Sequence, residues 1–117
     1  MAQSIREPQI QKQILQYLSA KGIFAIRVNS GATQITNKKD GKTRYVRFNS
    51  AIGCSDIIAI WPKSGRFLAI EVKRPGGRLT PEQKQFQERV EASKGMAIVC
   101  YSVDDLISFL DSMERLL

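Results

Sequence analysis

Asp56, Glu71 and Lys73 are the residues whose types and spacing could do chemistry. They lie in one stretch, DIIAIWPKSGRFLAIEVK, running from Asp56 to Lys73. Two strand-like runs, Asp56–Trp61 and Arg66–Val72, flank Pro62-Lys63-Ser64-Gly65, whose proline and glycine mark a turn. If that break is the loop of an antiparallel hairpin, Trp61 pairs with Arg66 and Ile60 with Phe67. The count then ends with Asp56 facing Glu71. Directly opposed residues hold their Cβ atoms roughly 4.5–5.5 Å apart, where like charges repel. Lys73 follows Glu71 by two and shares its face. A divalent cation would relieve the repulsion, and an ammonium beside it would complete a site for phosphodiester chemistry. The same residues also describe a hairpin with a wet mouth, both carboxylates solvated and Lys73 paired to one of them.

The rest of the composition narrows the chemistry. The chain has no His, and its two cysteines, Cys54 and Cys100, lie far apart without metal-ligand spacing. Zinc fingers, His-based triads and His general bases are excluded. Catalysis must rest on carboxylates, Lys or a thiol. With no base partner in view, Cys54 reads as a small buried residue rather than a nucleophile. At 117 residues the chain is expected to form one domain, residues 1–117, able to bury roughly two-thirds of its unfolded surface. No apolar run approaches the ~18–20 residues of a membrane span, and MAQSIREPQ has no signal-peptide core. The expectation is a soluble cytoplasmic protein with no membrane partner.

The elements that would position the site are readable in order. Glu7 to Lys21 has helical periodicity, with Ile10, Ile14, Tyr17 and Leu18 on one face, Pro8 in the first turn and Gly22 as the stop. Glu7 there complements the helix dipole, and Ser4-x-x-Glu7 resembles a capping box. Ile23–Asn29 reads as a strand ended by Asn29-Ser30-Gly31. Thr33–Thr36 and Thr43–Phe48 read as the arms of a hairpin with Asp40-Gly41 at its tip. Gly53, in the small-residue loop leading to Asp56, permits an unusual backbone conformation or a close approach. After Lys73, the loop Arg74-Pro75-Gly76-Gly77-Arg78 leads to Thr80-Pro81-Glu82-Gln83, which starts a helix running to about Lys94 and ended by Gly95. Gln83 fits a capping-box partner, yet an amide on the inward stripe could also reach the end of the Lys73 strand. Met96–Tyr101 reads as a buried strand, and Ser102-x-x-Asp105 caps a last helix with an apolar stripe from Leu106 to Leu117. The order implies an α/β fold with the sheet covered by the first and second helices.

Charge is unevenly spread. Residues 1–50 carry nine Lys or Arg against only Glu7 and Asp40, which accounts for the whole net charge of +7. Such asymmetry points to a polyanionic partner. Lys38, Lys39, Lys42, Arg44 and Arg47 crowd the predicted hairpin with Tyr45 and Phe48 interleaved. Lysines and arginines so placed could track a phosphate backbone without reading sequence. They could equally keep an exposed strand edge from aggregating.

Asp56 followed by Glu71-Val72-Lys73 resembles the D…(D/E)xK signature of the PD-(D/E)XK nuclease superfamily, and the details resemble its VRR-NUC branch. That branch has a helix-borne Glu, G-x-x-D, E-V-K and a Gln opening the next helix. Here these are Glu7, Gly53-Cys54-Ser55-Asp56, Glu71-Val72-Lys73 and Gln83, over roughly residues 7–100. The usual Pro before the Asp is Ser55. The resemblance implies a restriction-endonuclease-like αβββαβ core, with a mixed, mostly antiparallel sheet flanked by helices and an extra C-terminal helix.

The resemblance further implies a metal-dependent endodeoxyribonuclease. Asp56, Glu71 and the main-chain carbonyl of Val72 would hold Mg²⁺ or Mn²⁺. Glu7 would bind a second metal or hold a water, Lys73 would orient the attacking water, and Gln83 would support Lys73 or the phosphate. Arg74 and Arg78, with the hairpin's cations, would contact DNA. Stand-alone members resemble structure-selective enzymes of branched DNA, including four-way junctions, acting as homodimers. The C-terminal helix and the basic hairpin are the candidate dimer surfaces. The alternatives are a catalytically idle nucleic-acid-binding module and a nuclease subunit of a larger complex.

Overall fold

A computed structural model of the chain describes residues 5–28, 32–47 and 52–116, with side chains left out at 32–35, 45–47 and 115–116. Nine elements follow in order: α1 (Glu7–Ala20), β1 (Ala25–Arg27), β2 (Ala32–Thr36), β3 (Thr43–Arg47), β4 (Ile57–Ile60), β5 (Phe67–Val72), α2 (Pro81–Ala92), β6 (Met96–Cys100) and α3 (Val103–Leu116). Strands β1, β4, β5 and β6 form one sheet in that order, and β2 with β3 forms a separate two-stranded sheet. Among the described residues, pairing is antiparallel except between β5 and β6, which run parallel. The mixed, mostly antiparallel sheet flanked by helices is therefore present.

The central hairpin has the expected register. Ile60 pairs with Phe67 and Ile57 with Ile70, and the Trp61 N–H donates to the Arg66 carbonyl at 2.8 Å. A loop of Pro62 to Gly65 fixes that count, because any other length slips every side chain to the opposite face. Alternation then sorts the sheet. Ile57, Ala59, Trp61, Leu68, Ile70 and Val72 point into one core, and Asp56, Ile58, Ile60, Phe67, Ala69 and Glu71 point to the other face.

α1 and α2 cover the two faces as the sequence predicts, and α3 joins α1 on the core face. Ile10, Ile14 and Leu18 of α1 and Leu106 and Leu110 of α3 pack together on the core face. The opposite face is covered, over β5 and β6, by α2, which buries no residue fully. The burial of α3 is the departure, and it has a physical cause. An apolar stripe shows that a helix buries one face, not what it buries that face against. The stripe of α3 is spent on the core, so it does not serve as the free dimer surface expected of it.

Local signals were read with mixed success. The C-terminal ends of α1 and α2 both close as Schellman motifs. In α1, Gly22 takes φ +71°, with Ile23 N–H to Leu18 at 2.9 Å and Gly22 N–H to Ser19 at 3.0 Å. In α2 the left-handed residue is Lys94 at φ +71°, not Gly95. Gly95 is needed for room, since a Cβ there would lie 2.8 Å from Val90 Cγ1. The cap of α1 is also shifted: Arg6 occupies the cap, and its N–H donates to Gln9 Oε1 at 3.0 Å. Ser4 lies outside the described residues, as do Asn29 to Gly31, Phe48 and Ser50. Asp40-Gly41 is not a two-residue turn. Asn37 N–H reaches the Lys42 carbonyl and Gly41 N–H reaches the Asn37 carbonyl, both at 2.8 Å, which makes a four-residue loop with Gly41 at φ +70°.

Candidate functional site

Antiparallel pairing brings Asp56 opposite Glu71 at the mouth of the β4–β5 hairpin, one step beyond the Ile57–Ile70 pair. Asp56 is no longer a ladder residue there, and its side chain does the work of one. Its Oδ2 accepts from the Val72 N–H at 2.8 Å, while its carbonyl accepts from Val28 at 2.7 Å. Those two bonds tie the carboxylate to β5 and β1 together. The Asp56 side chain is half-buried, and Glu71 is only 2 % exposed.

Glu71 carries the unusual electrostatics. One carboxylate oxygen, Oε1, accepts from Gln83 Nε2 at 3.1 Å. The other, Oε2, is buried with no hydrogen-bond partner, a costly state for an ionised oxygen. Burial first, and then the charge of Asp56 and a hydrogen bond with it, push the Glu71 carboxyl from 4.5 up to about 8. Lys73 acts against this rise and Glu7 adds to it. Both therefore lie within electrostatic reach of Glu71, Lys73 from the following strand end and Glu7 from the first turn of α1. Asp56, Glu71, Lys73, Glu7 and Gln83 are gathered at one end of the sheet.

Gln83 unites two readings that the sequence kept apart. Its Oε1 accepts from the Thr80 N–H at 2.9 Å, and its own N–H donates to Thr80 Oγ1 at 3.2 Å. That is a full capping box. The Nε2 left over is the group that reaches Glu71. One side chain thus fixes the start of α2 and holds a buried carboxylate.

Gly53 holds the loop before Asp56 against the same helix start. It sits at φ +77°, and a Cβ there would lie 2.3 Å from the Glu82 carbonyl oxygen. The backbone of residues 52–55 can approach α2 only without a side chain at that point. Cys54, in this loop, is buried as expected. Its thiol is pushed up by burial and then by Glu71 and Asp56, so it forms part of the site wall, a role sequence reasoning missed. Its position two residues before Asp56 was the available signal. Ser55 is fully buried beside it, with its hydroxyl unpartnered.

The basic residues are distributed differently. Arg74 and Arg78 are exposed on the loop that leaves Lys73, folded by a Gly77 N–H to Arg74 carbonyl bond of 2.8 Å. Lys38, Lys39, Lys42 and Arg44 are exposed at the tip of the β2–β3 hairpin, which shares no ladder with the sheet that carries the carboxylates. The side chain of Arg47 lies outside the described residues.

The donor set suits a hard divalent cation. It offers two carboxylates, one with a buried oxygen that has no hydrogen-bond partner; the chain has no imidazole, and the thiol of Cys54 beside them is pushed up by burial and so held in its neutral form. Among the described residues no three of His, Cys, Asp and Glu cluster tightly enough to hold a metal by themselves. Glu7 accordingly acts on the carboxylate pair at a distance rather than closing a trio with it.

No curated protein matches the chain by sequence. Several solved structures resemble it in fold. One, described as a VRR_NUC domain, is 22 % identical with a TM-score of 0.59, over 87 % of this chain and 94 % of that one. Another, a VRR_NUC domain protein, is 18 % identical with a TM-score of 0.60, over 93 % and 88 %. No helix among the described residues is long and apolar enough to cross a membrane. The family model for the VRR-NUC domain matches residues 5–104, a span that holds every element from α1 to β6 and all five gathered side chains. The chain belongs to the VRR-NUC family of PD-(D/E)XK nucleases.

Proposed function

We propose that this nuclease domain is a Mg²⁺- or Mn²⁺-dependent DNA endonuclease that cuts branched DNA as a homodimer. The observation that carries the metal dependence is the buried, unpartnered Oε2 of Glu71 facing Asp56. At neutral pH two carboxyls pressed together are relieved either by a proton held on Glu71 or by a divalent cation that displaces it, and the buried site favours the ion once it is offered. Asp56, Glu71 and the Val72 carbonyl would hold it. When bound, the ion supplies positive charge at the scissile phosphate and acidifies water there.

The chain's own residues do the rest. The Lys73 ammonium, half-buried on the Glu71 face, orients the attacking water and stabilises negative charge building on the phosphate. Gln83 holds Glu71 in place, and Glu7 holds a water or a second cation at the site's edge. Lys38, Lys39, Lys42, Arg44, Arg74 and Arg78 bind the phosphate backbone by charge, which favours recognition of DNA shape over base sequence.

Two features support the homodimer. Symmetric cutting of two strands requires two sites related by a two-fold axis. With the α3 stripe buried, an apolar surface remains on the sheet face beside the site. Phe24 is 70 %, Ile26 49 % and Ile60 39 % exposed. Ile26 pairs with Ile58, and the Ile60 N–H bonds to the Phe24 carbonyl at 3.0 Å, so these side chains are cross-strand neighbours. A polyanion gains nothing from such a patch; a second copy of it does.

The test is incubation of the purified protein with four-way-junction, flapped and linear DNA, with and without Mg²⁺ or Mn²⁺. Metal-dependent nicking that favours branched DNA is expected. Lys73→Ala abolishes it while leaving DNA affinity within about threefold, since one charge contributes little to a multi-phosphate contact. Metal-dependent binding without nicking on any DNA would instead identify an idle binding module.

A further inference from the structure

A groove on the α1 side of the sheet edge points to a second DNA contact. It runs along the outer face of α1 where that helix meets the edge strand β1, with a volume of about 720 Å³. Gln11, Lys12, Gln16 and Arg27 line it together with apolar Leu15 and Ala20, and it reaches Pro8 at one end. Among the described residues the lining holds two cations and no acid. Arg27 does not wave freely in it: its Nε donates to Gln11 Oε1 at 3.1 Å. That bond uses the Nε of an exposed side chain and leaves its two terminal NH2 groups for phosphate oxygens. The groove begins at Pro8, next to Glu7, and so opens at the carboxylate end of the sheet.

Its position relative to the carboxylates sets what can fill it. Asp56 and Glu71 point to the α2 face, where Gln83 holds Glu71. The groove lies on the α1 face, around the edge formed by β1. DNA reaching both must turn about the edge of a single sheet. A straight duplex, with a persistence length of about 50 nm, resists such a turn over so few base pairs. A strand leaving its duplex at a branch makes it freely.

We propose that this groove binds the sugar-phosphate backbone of a strand that turns away from the duplex bearing the scissile phosphate, with Lys12 and Arg27 as its phosphate contacts. This rests on the DNA-cleavage reading of the carboxylate site and adds to it a reason for preferring branches.

The experiment uses the Lys12→Ala/Arg27→Ala double variant, two exposed positions outside the core. Binding is measured in chelator, so that cleavage does not intervene, to a four-way junction, a single-strand flap and a linear duplex of equal length. Junction and flap affinities are expected to fall roughly ten- to thirtyfold, and the slope of log affinity against log salt to shrink by about 1.4–1.8, the loss of two phosphate contacts. The linear duplex should change less than threefold. Gln11→Ala, which frees Arg27 without removing charge, should produce a smaller loss in the same order. Cleavage at saturating DNA with metal should be unchanged. Equal losses on all three DNAs, or an unchanged salt slope, would overturn the proposal while leaving the cleavage reading standing. Absence of metal-dependent nicking by the parent protein would sink the cleavage reading, whatever the groove does.

Discussion

Glu71→Gln should make the metal-free protein more stable, with a pH dependence that isolates this one carboxyl. Glu71 is 2 % exposed, and burial followed by the neighbouring Asp56 raises its carboxyl from 4.5 to about 8. Its contribution to folding is fully in place below pH 4.5, where both folded and unfolded chains hold the proton. Above that the unfolded chain ionises and the folded one does not, so stability drains away by about 1.4 kcal/mol per pH unit until the folded group ionises near 8. The full drop in a rigid site is roughly 5 kcal/mol. Water entry and side-chain movement reduce it. A gain of about 2–5 kcal/mol at pH 8, or roughly 8–20 °C in Tm for a chain of this length, is expected for the amide.

Gln keeps the shape of Glu and the Oε1 acceptor that Gln83 uses, so the substitution removes charge and little else. The assay is thermal or urea unfolding of both proteins in chelator from pH 5 to 9. Ionisable groups common to both cancel in the difference. The difference should be small at pH 5, grow to pH 8 and then level off. A constant difference across that range, or a variant less stable than the parent at pH 8, would refute the account of Glu71 as a desolvated carboxyl pressed against Asp56. Added Mg²⁺ should invert the ranking, because only the parent binds it. Near pH 7 binding should also release close to one proton from Glu71, read as a buffer-dependent heat.

Gln83→Glu separates the two tasks of that side chain. The capping box with Thr80 survives, but a third carboxylate faces Glu71; stability should fall by about 1–3 kcal/mol at pH 8 and scarcely at pH 5, and an equal loss at both pH values would leave Gln83 with capping alone. Gly53→Ala meets both the φ of +77° and the Glu82 carbonyl 2.3 Å away. A loss of about 2–4 kcal/mol, together with weaker Mg²⁺ binding by calorimetry, is expected, and a neutral variant would show that the loop does not hold Asp56 against α2. Phe24→Asp/Ile60→Asp should convert a light-scattering dimer to a monomer with an unchanged melting curve at low concentration; a dimer that survives would move the interface elsewhere.

The legible and illegible parts of this chain divide along a physical line. The hairpin that holds the carboxylates was readable because a tight loop fixes its own count. Once Pro62 to Gly65 is the turn, period-two alternation leaves no freedom in where Asp56 and Glu71 meet. Asp40-Gly41 carried an equally strong dipeptide signal and misled, because Asn37 and Lys42 close the loop two residues earlier than the dipeptide demands. Lys94 took the left-handed position expected of Gly95 for a related reason: the glycine was required by Val90, a neighbour that local rules do not see.

The same line runs through the site. Types and spacing named Asp56, Glu71, Lys73 and Gln83, and left open whether the carboxylate pair was wet or buried. That choice is made by long-range packing. The loop at Gly53 seats against α2, α2 is seated by Thr80 and Gln83, and Gln83 closes over Glu71. The first and last of these contacts join residues twelve or more apart, the middle one is the local cap that aims Gln83, and together they bury Glu71 Oε2. Burial is what turns a repulsive pair at a hairpin mouth into the raised carboxyl on which the proposed cation site rests. It arises from the convergence of three separately encoded pieces, so no single stretch of the sequence could disclose it.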